Sequence, residues 1–177
     1  MNNKMEELGF KKVPGELVSK LEMNPYKMIG KDWFLVTAGD ESGWNTMTAS
    51  WGFAGVMWGK NTFTTVVRPQ RYTKEFIDKS EYFTISFFSE EQRSVLKFCG
   101  SHSGREFDKA KETGLTPVFF DGVTSFEQAS MVLVCKKAYV QPMTGECMID
   151  KEDDAKWFAD KDYHVQYIGT IKDVYVK

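Results

Sequence analysis

The chain has 177 residues, of which 42% are hydrophobic and 15% aromatic, and its formal net charge is −2. A chain of this length buries roughly 70% of the surface that it exposes when unfolded, so we expect one packed domain over residues 1–177. The small net charge, with acids and bases interspersed, gives no electrostatic reason to expect nucleic acid or a membrane as a partner.

The cysteines and the N-terminus indicate the cellular environment in which the protein is expected. Cys99 and Cys135 are expected to pack as small hydrophobic residues, whereas Cys147 lies in a polar stretch. Their spacing predicts neither a disulfide framework nor a metal site. The N-terminus lacks the apolar core of a signal peptide, and no apolar run approaches the ~18 residues of a membrane span. We therefore expect a soluble, cytoplasmic protein.

The first third of the chain predicts an antiparallel sheet. Residues 1–25 are polar and mixed in charge, and we expect them to form an arm that packs on the body. A buried strand is predicted over 33–38, followed by turn chemistry at 39–43. Two more strands follow over 45–51 and 61–67. Strands this close together, joined by short turns that contain glycine, favour an antiparallel sheet or a barrel.

The strand 45–51 has an unusual side-chain pattern. Thr46, Thr48 and Ser50 alternate with larger residues, so their hydroxyls are predicted to share one face. The opposite face carries Met47, Ala49 and Trp51. A face of small hydroxyl groups lets a flat polar ligand approach the backbone and form short hydrogen bonds. The alternative is a half-buried strand with its Thr and Ser residues in solvent.

A basic segment follows the third strand. Arg68, Arg71 and Lys74 lie within seven residues in a chain that is net negative. Thr73 is a candidate N-cap for a short helix that extends to about Lys79. Guanidinium groups beside a helix N-terminus form a site for an anion such as phosphate. The alternative is a solvated basic loop with an ordinary cap.

These two segments carry a family resemblance. The string from Asn45 to Gly52, NTMTASWG, together with the run RPQRYT at 68–73, resembles the flavin reductase-like, FMN-binding split-barrel family and its flavoredoxin-type branch. The resemblance extends from Asn45 to the C-terminus. It implies a mainly β, Greek-key split barrel with a few short flanking helices and a non-covalently bound FMN. The cofactor-binding residues that it implies here are Asn45, Thr46, Met47, Thr48, Ala49, Ser50, Trp51, Arg68, Arg71, Tyr72 and Thr73.

The rest of the chain predicts more strands and short helices. Ser89 and Gln92 match a capping box that opens a helix ending near Gly100. The run 130–140 is nearly continuous in apolar residues, so we expect a strand covered on both faces, by helices or by a second subunit. Further strands are predicted at 81–88, at 118–120 as the start of the second half of the sheet, and at 162–171. Further short helices are predicted at 106–111 and 151–160.

A second segment is tied to the flavin by the resemblance alone. In the family, Ser-Gly-Arg followed by Asp-Lys lies against the flavin, which implies Ser103, Gly104, Arg105 and Lys109 as further binding residues. The alternative is a turn between helices in which Asp108 and Lys109 are surface charges.

His164 is the candidate catalytic residue. Related reductases often carry Gly-Asp-His, four residues and then Gly, with that His beside the flavin where nicotinamide stacks. Here His164 and Gly169 keep the spacing, but Tyr163 stands between the Asp and the His, and Lys161 replaces the Gly. The resemblance implies a role for His164 on the nicotinamide side. The alternative is a histidine whose hydrogen bonds are satisfied inside the barrel.

The resemblance implies an NAD(P)H:flavin oxidoreductase that passes electrons from NADH or NADPH through bound FMN. The alternative is a flavoredoxin-type carrier that receives electrons from a redox partner protein and has no nicotinamide site of its own. A non-redox binding protein on the same barrel is a third possibility. The family is dimeric with flavin near the subunit interface, which implies a homodimer. The sequence shows neither a nucleophile–base constellation nor an early Gly-x-Gly-x-x-Gly, which argues against a hydrolase and a dinucleotide domain.

Overall fold

The computed structural model describes residues 4–177, so the first three residues of the predicted arm lie outside the described part. The strands are β1 (Lys11–Pro14), β2 (Phe34–Asp40), β3 (Gly43–Ala49), β4 (Gly52–Met57), β5 (Lys60–Val67), β6 (Tyr82–Phe87), β7 (Pro117–Phe120), β8 (Val123–Phe126), β9 (Met131–Pro142) and β10 (Val165–Val176). The α-helices are α1 (Lys4–Glu7), α2 (Pro25–Lys27), α3 (Tyr72–Lys79), α4 (Arg93–Ser101), α5 (Lys109–Thr113) and α6 (Lys151–Trp157). Short 3-10 turns occupy Gly15–Lys20, Glu90–Gln92 and Gly145–Cys147, and a π-helical turn occupies Met28–Asp32.

Within residues 4–177, eight strands form one antiparallel sheet. Its order is β3-β2-β6-β9-β10-β5-β4, and β1 pairs with residues 173–176 near the C-terminal end of β10. The strands predicted over 33–38, 45–51, 61–67 and 81–88 are all present. The predicted mainly β fold class is confirmed.

The sheet curls into a barrel that is split along one seam. β3 and β4 are neighbours in the chain but stand at opposite ends of the strand order. Phe34 on β2 and Phe63 on β5 meet inside the curl, with ring centroids 5.3 Å apart. In the described part of the chain, no hydrogen-bonded ladder joins β3 to β4 or β5. The outer backbone edge of β3 is therefore open at this seam.

Alternate residues of β9 pack into two different cores. Leu133 and Cys135 point into the barrel, whereas Val132 and Val134 join an outer cluster with residues of α4, β7 and β8. The first half of β9 is therefore covered on both faces, as predicted, and this cover comes from the same chain. From Lys136 onward the strand is exposed or half-buried. The expectation that Cys99 and Cys135 are buried is confirmed.

The strand predicted at 118–120 does not continue the main sheet. It forms β7, which pairs only with β8 in a separate two-stranded sheet. Asp121 and Gly122 connect the two strands with φ angles of 48° and 75°. Two successive positive φ values are typical of a tight type I′ hairpin. The short strands therefore close locally and lie over the outer core.

Two predicted helix caps are wrong. The hydroxyl of Ser89 makes no cap hydrogen bond, and a 3-10 turn separates it from α4, which begins at Arg93. Arg71 is the N-cap residue of α3, so Thr73 lies inside the helix. Its buried hydroxyl instead accepts a hydrogen bond from Asn45. In both cases the sequence contains a hydroxyl suited to capping, but in the fold it does not cap the α-helix.

Three other boundaries differ from the sequence prediction. The helix expected at 106–111 begins only at Lys109, because the side chain of Asp108 accepts a hydrogen bond from the Lys111 N–H and caps the helix there. The helix expected at 151–160 ends at Trp157. The final strand begins at Val165 and not at 162, since Lys161 has a positive φ of 57°.

The described part of the N-terminal arm adds a strand and two core residues. β1 pairs with β10, and Met5 and Phe10 are buried in the outer cluster. None of the helices described in residues 4–177 is long and apolar enough to cross a membrane.

We expect Gly169→Ala to destabilise the barrel. A Cβ at this position in β10 would lie 2.7 Å from both the Cβ of Cys135 and the Cζ of Phe83. Overpacking of this kind lowers the free energy of unfolding by about 1–3 kcal/mol. Urea denaturation measures the change.

The matched control is Gly55→Ala in the edge strand β4, where a Cβ would meet no atom within 4 Å. We expect this variant to stay within about 0.5 kcal/mol of the wild type. Equal destabilisation by the two substitutions would contradict the packing described here.

Candidate functional site

Two adjoining cavities lie at the open seam. The larger, which we call the seam cavity, has a volume of about 320 Å³ and lies between β3, the end of β5 and the start of β10. The smaller, the loop cavity, has a volume of about 240 Å³ and lies between β3, the start of α3 and the 101–104 loop. Met47, Arg68 and Arg71 line both cavities, so the two are neighbours.

The structure brings most of the predicted site residues to these cavities. Those that line the seam cavity are Met47, Thr48, Ala49, Ser50, Trp51, Arg68, Arg71 and His164. Those that line the loop cavity are Asn45, Met47, Arg68, Arg71, Tyr72, Thr73, Ser103, Gly104 and Lys109. Thr46 and Arg105 line neither cavity.

The threonine hydroxyls of β3 are used inside the protein. The Oγ1 atom of Thr46 lies 2.8 Å from that of Thr37 and donates to the carbonyl of Val36. The hydroxyl of Thr48 donates to the carbonyl of Leu96 in α4, at 2.5 Å. The predicted polar face is therefore present but tied to β2 and α4. The hydroxyls of Thr46 and Thr48 are thus already engaged by other parts of the protein.

The backbone of β3 provides polar groups at the seam, in addition to the side chains. The Nζ atom of Lys109 donates to the Thr46 carbonyl at 2.8 Å, which shows that this carbonyl points away from β2. In an antiparallel pair the direction of the backbone groups alternates, so the N–H and C=O of Thr48 also point outward. Among the described residues β3 has no second neighbouring strand, and its edge at Thr48 therefore faces the seam with free donors and acceptors.

A polar contact joins the walls of the loop cavity. The amide Nδ2 of Asn45 on β3 donates to the hydroxyl of Thr73 in α3 at 2.8 Å. On the other side of Asn45, the backbone of Gly104 approaches so closely that a Cβ there would lie 1.9 Å from Oδ1. Only glycine fits this position, and the predicted Gly104 is needed for the close approach.

Lys109 is buried, which overturns its interpretation as a surface charge. Only 5% of the residue is exposed, and Nζ donates to the carbonyls of Thr46 and Cys99 at 2.8 Å each. Burial, together with the nearby charge of Arg71, lowers the pKa of Lys109 to about 8. A lysine here links the free edge of β3 to the end of α4 and places a positive charge beside the loop cavity.

The two predicted phosphate-binding arginines have different surroundings. Arg71 is half-buried, donates to the Gly100 carbonyl at 2.7 Å, and takes part in no ion pair within the described residues. Burial, with the nearby charge of Arg68, lowers its pKa. Arg68 instead forms an ion pair with Asp162, and its other terminal nitrogen donates to the Trp157 carbonyl at 2.8 Å.

Asp162 is held by two partners. Gln70 donates to its Oδ2 atom at 2.7 Å, and the Arg68 guanidinium contacts the same oxygen. These hydrogen bonds, that of Gln70 first, hold the pKa of the Asp162 carboxyl below its usual value. The other oxygen, Oδ1, is buried without a hydrogen-bond partner in the described part of the chain.

Arg105 lies outside both cavities. It pairs with Glu75, and its guanidinium stacks over the Tyr72 ring at 4.6 Å. Since Tyr72 lines the loop cavity, Arg105 supports that wall from behind.

His164 is buried and incompletely hydrogen-bonded. The residue is 8% exposed, and its ring centroid lies 5.2 Å from that of Trp51 and 5.5 Å from that of Phe158. Its Nδ1 atom has no hydrogen-bond partner within residues 4–177. Burial, followed by the charge of Arg68, lowers the pKa of His164 to about 4, so the imidazole is neutral at pH 7. The alternative of a satisfied core histidine therefore does not describe it.

Several lining residues were missed by the sequence analysis. Trp157 packs edge to face on Trp51 with centroids 4.9 Å apart and closes one side of the seam cavity. The only signal for it was an aromatic residue in a polar helical stretch. The other missed lining residues are Val66, Gln70, Ser101 and His102.

Comparison with solved structures identifies similar folds. An FMN-binding protein from Thermus thermophilus is 23% identical with a TM-score of 0.64, covering 82% of this chain and 71% of that one. An FMN-binding domain of a flavin reductases-like enzyme from Shewanella baltica is 19% identical with a TM-score of 0.65, covering 94% and 78%. A flavoredoxin from Methanosarcina acetivorans is 16% identical with a TM-score of 0.65, covering 89% and 75%.

At these identities the similar structures establish the split-barrel fold, and no curated protein matches the chain significantly in sequence. The family model for the flavin reductase like domain matches residues 28–177, which includes the whole of both cavities. This chain belongs to the flavin reductase-like family.

Proposed function

We propose that the chain binds FMN non-covalently across the seam and loop cavities and acts as an NAD(P)H-dependent flavin reductase. One observation carries the proposal: the free backbone edge of β3 and a cation without a carboxylate partner, Arg71, border the same pair of adjoining cavities. A flavin needs hydrogen bonds along its ring edge and a positive site for its phosphate. Bound FMN would supply the electron-transfer chemistry, while the protein orients it.

The loop cavity suits the phosphate end of the cofactor. Arg71 and the first turn of α3 border it, so a guanidinium and helix N–H groups face one space. The ammonium of Lys109 adds positive charge from behind β3. Thr73 serves this site indirectly, because its hydroxyl holds Asn45 in place.

The seam cavity suits the ring. The outward N–H and C=O of Thr48 offer a donor and an acceptor at this cavity, and Met47 and Trp51 provide apolar contact. Exclusion of water by the surrounding aromatic residues strengthens these hydrogen bonds.

His164 borders the ring cavity as a neutral imidazole with one unpaired nitrogen. Because its pKa is about 4, it can offer a hydrogen bond to a nicotinamide amide without adding charge. Hydride transfer requires the nicotinamide C4 to approach the flavin to about 3–3.5 Å. We propose that His164 borders that approach.

Purified wild-type protein is expected to be yellow and to carry FMN. The Gly104→Ala variant is expected to bind FMN at least tenfold more weakly. The reason is that the added Cβ would enter the space of the Asn45 side chain and distort the loop cavity. Gly30→Ala is the control, since a Cβ at Gly30 would meet no atom within 4 Å. Flavin absorbance and fluorescence titration measure binding. A colourless protein that takes up no FMN on reconstitution would rule out the flavin proposal.

Mixing FMN-loaded protein anaerobically with excess NADH or NADPH is expected to bleach the flavin absorbance within seconds. We expect His164→Ala, with FMN still bound, to slow this about tenfold or more, because the nicotinamide loses a bordering hydrogen-bonding group. Fast bleaching that His164→Ala leaves unchanged would keep the reductase and remove this role for the histidine.

An electron carrier of the flavoredoxin type is the second candidate. Trp157 favours this carrier, because its ring packs against Trp51 over the seam cavity. It therefore occupies space that a stacked nicotinamide would need. Both indoles are partly exposed and offer a surface to a redox partner protein. If dithionite bleaches the flavin but neither nucleotide does so in minutes, the carrier replaces the reductase.

We further propose that the protein is a homodimer formed through an exposed apolar surface. This β4–β9 patch consists of Phe53, Val56, Met57, Trp58, Tyr139 and Val140. Trp58 and Tyr139 join its two parts, with ring centroids 6.3 Å apart. Large exposed apolar side chains of this kind are often found at protein interfaces. A cytoplasmic location stays a prediction.

Sedimentation of the wild type is expected to give a dimer, and that of Val56→Lys a monomer. Val56 is 71% exposed, and a dimer would bury the introduced charge in an apolar interface. Ile149→Lys is the control, because Ile149 is 89% exposed but lies outside the patch. A monomeric wild type, or equal effects of the two substitutions, would contradict this interface.

A further inference from the structure

We propose that Arg68 is a positioning residue that fastens residues 157–164, the covering segment, to the end of β5, and that Arg71 alone of the two arginines reads the cofactor phosphate. The covering segment delivers Trp157 and His164 to the seam cavity. The assignment deepens the proposed flavin function and rests on it only in its ligand-binding part.

Both arms of the Arg68 guanidinium are already occupied by the covering segment. One terminal nitrogen pairs with the Asp162 carboxylate, and the other donates to the Trp157 carbonyl at 2.8 Å. The ring of Phe158 lies 5.5 Å from the guanidinium carbon. Gln70, two residues further along the chain, donates to the same carboxylate at 2.7 Å. The geometry therefore links β5 to both ends of the segment.

Apart from the ring contacts of Trp157 and His164 with Trp51, the covering segment has few other ties to the barrel. It lies between the end of α6 and the start of β10 and contains a left-handed residue, Lys161. The hydrogen bonds from Tyr163 and Lys161 go to Asp154 in α6, and the His164 carbonyl accepts from the Met143 N–H. These contacts stay within the connection from β9 to β10. Arg68 and Gln70 bring hydrogen bonds from outside it.

Recruiting Arg68 to a phosphate would break this arrangement at a cost. Asp162 already has one buried oxygen, Oδ1, without a partner in the described residues. Without Arg68 its carboxylate would lose its ion pair as well, and an unpaired charge in a partly buried setting is strongly unfavourable. Within residues 4–177, the Arg71 side chain by contrast has only the Gly100 carbonyl as a hydrogen-bond partner and no carboxylate to release.

Paired titrations with FMN and riboflavin separate the two arginines. Arg71→Gln is expected to weaken FMN about 10- to 100-fold, as loss of a charge-assisted hydrogen bond does, and riboflavin no more than about twofold. Arg68→Gln is expected to weaken both flavins by the same factor, because it loosens a wall of the ring cavity. FMN-selective weakening in Arg68→Gln would overturn the assignment.

For Asp162→Asn, the two possible roles of Arg68 predict opposite changes in FMN affinity. If Arg68 were a phosphate ligand restrained by Asp162, this substitution would free it and tighten FMN relative to riboflavin. If Arg68 fastens the covering segment, the substitution weakens both flavins equally. Arg68→Lys keeps the charge but loses the two-armed fork, so it is expected to resemble Arg68→Gln and to differ from the wild type.

A flavin-free readout comes from proton NMR, because the chain contains only two histidines. In wild-type apoprotein His164 is expected to titrate near pH 4, with His102 as the internal reference. The charges that act on His164 are those of Arg68, Arg71 and Asp162, and the last of these raises its pKa. By electrostatics alone, Asp162→Asn would therefore lower the pKa of His164.

Release of the covering segment has the opposite effect, because hydration moves the pKa of His164 up toward about 6.5. We expect this rise in both Asp162→Asn and Arg68→Gln, with the His102 titration and circular dichroism unchanged. A fall, or no change, in Asp162→Asn would overturn the positioning role. If the wild type binds no flavin, the flavin proposal fails while this titration still decides the role of Arg68.

Discussion

The unpaired outer edge of β3 is the constraint on which the rest of the site depends. The strand order begins at β3 and ends at β4, so the barrel curls without a ladder across the seam. Unsatisfied backbone groups must find partners, and here they face a space shaped for a ligand. Lys109 satisfies an outward carbonyl at Thr46, and the next outward groups along the edge, at Thr48, border the seam cavity. The cavity exists because the sheet does not close.

A backbone edge is a useful binding surface only if it is rigid, and the threonines of β3 provide that rigidity. Thr46 ties the strand to β2 and Thr48 ties it to α4. Asn45 does the same toward α3, where it meets the buried hydroxyl of Thr73. Side chains that resemble ligand-binding groups in the sequence therefore form hydrogen bonds inside the protein. They fix the strand whose main chain borders the cavities.

The role of each charged residue in the site depends on the groups that it contacts, and not on how many charges the site contains. Arg68 and Arg71 are three positions apart and carry the same charge, yet one is paired with Asp162 and the other has no carboxylate partner in the described residues. Burial further divides the titratable groups: it lowers the pKa of Lys109 to about 8 and that of His164 to about 4. A half-buried arginine without a counter-charge and a neutral histidine next to it are suited to different parts of one cofactor.

The sequence by itself determined the mainly β class, most strands of the barrel, the buried cysteines and the family, because side-chain alternation, turn residues and short motifs are local signals. It also selected most of the residues that line the two cavities. It did not determine what each of them contacts. Arg68 meets Asp162 across 94 positions and Lys109 meets Thr46 across 63, and no local pattern encodes such pairs. Only the tertiary structure decided them, since burial, hydrogen-bond partners and pKa depend on which distant segments the fold brings together.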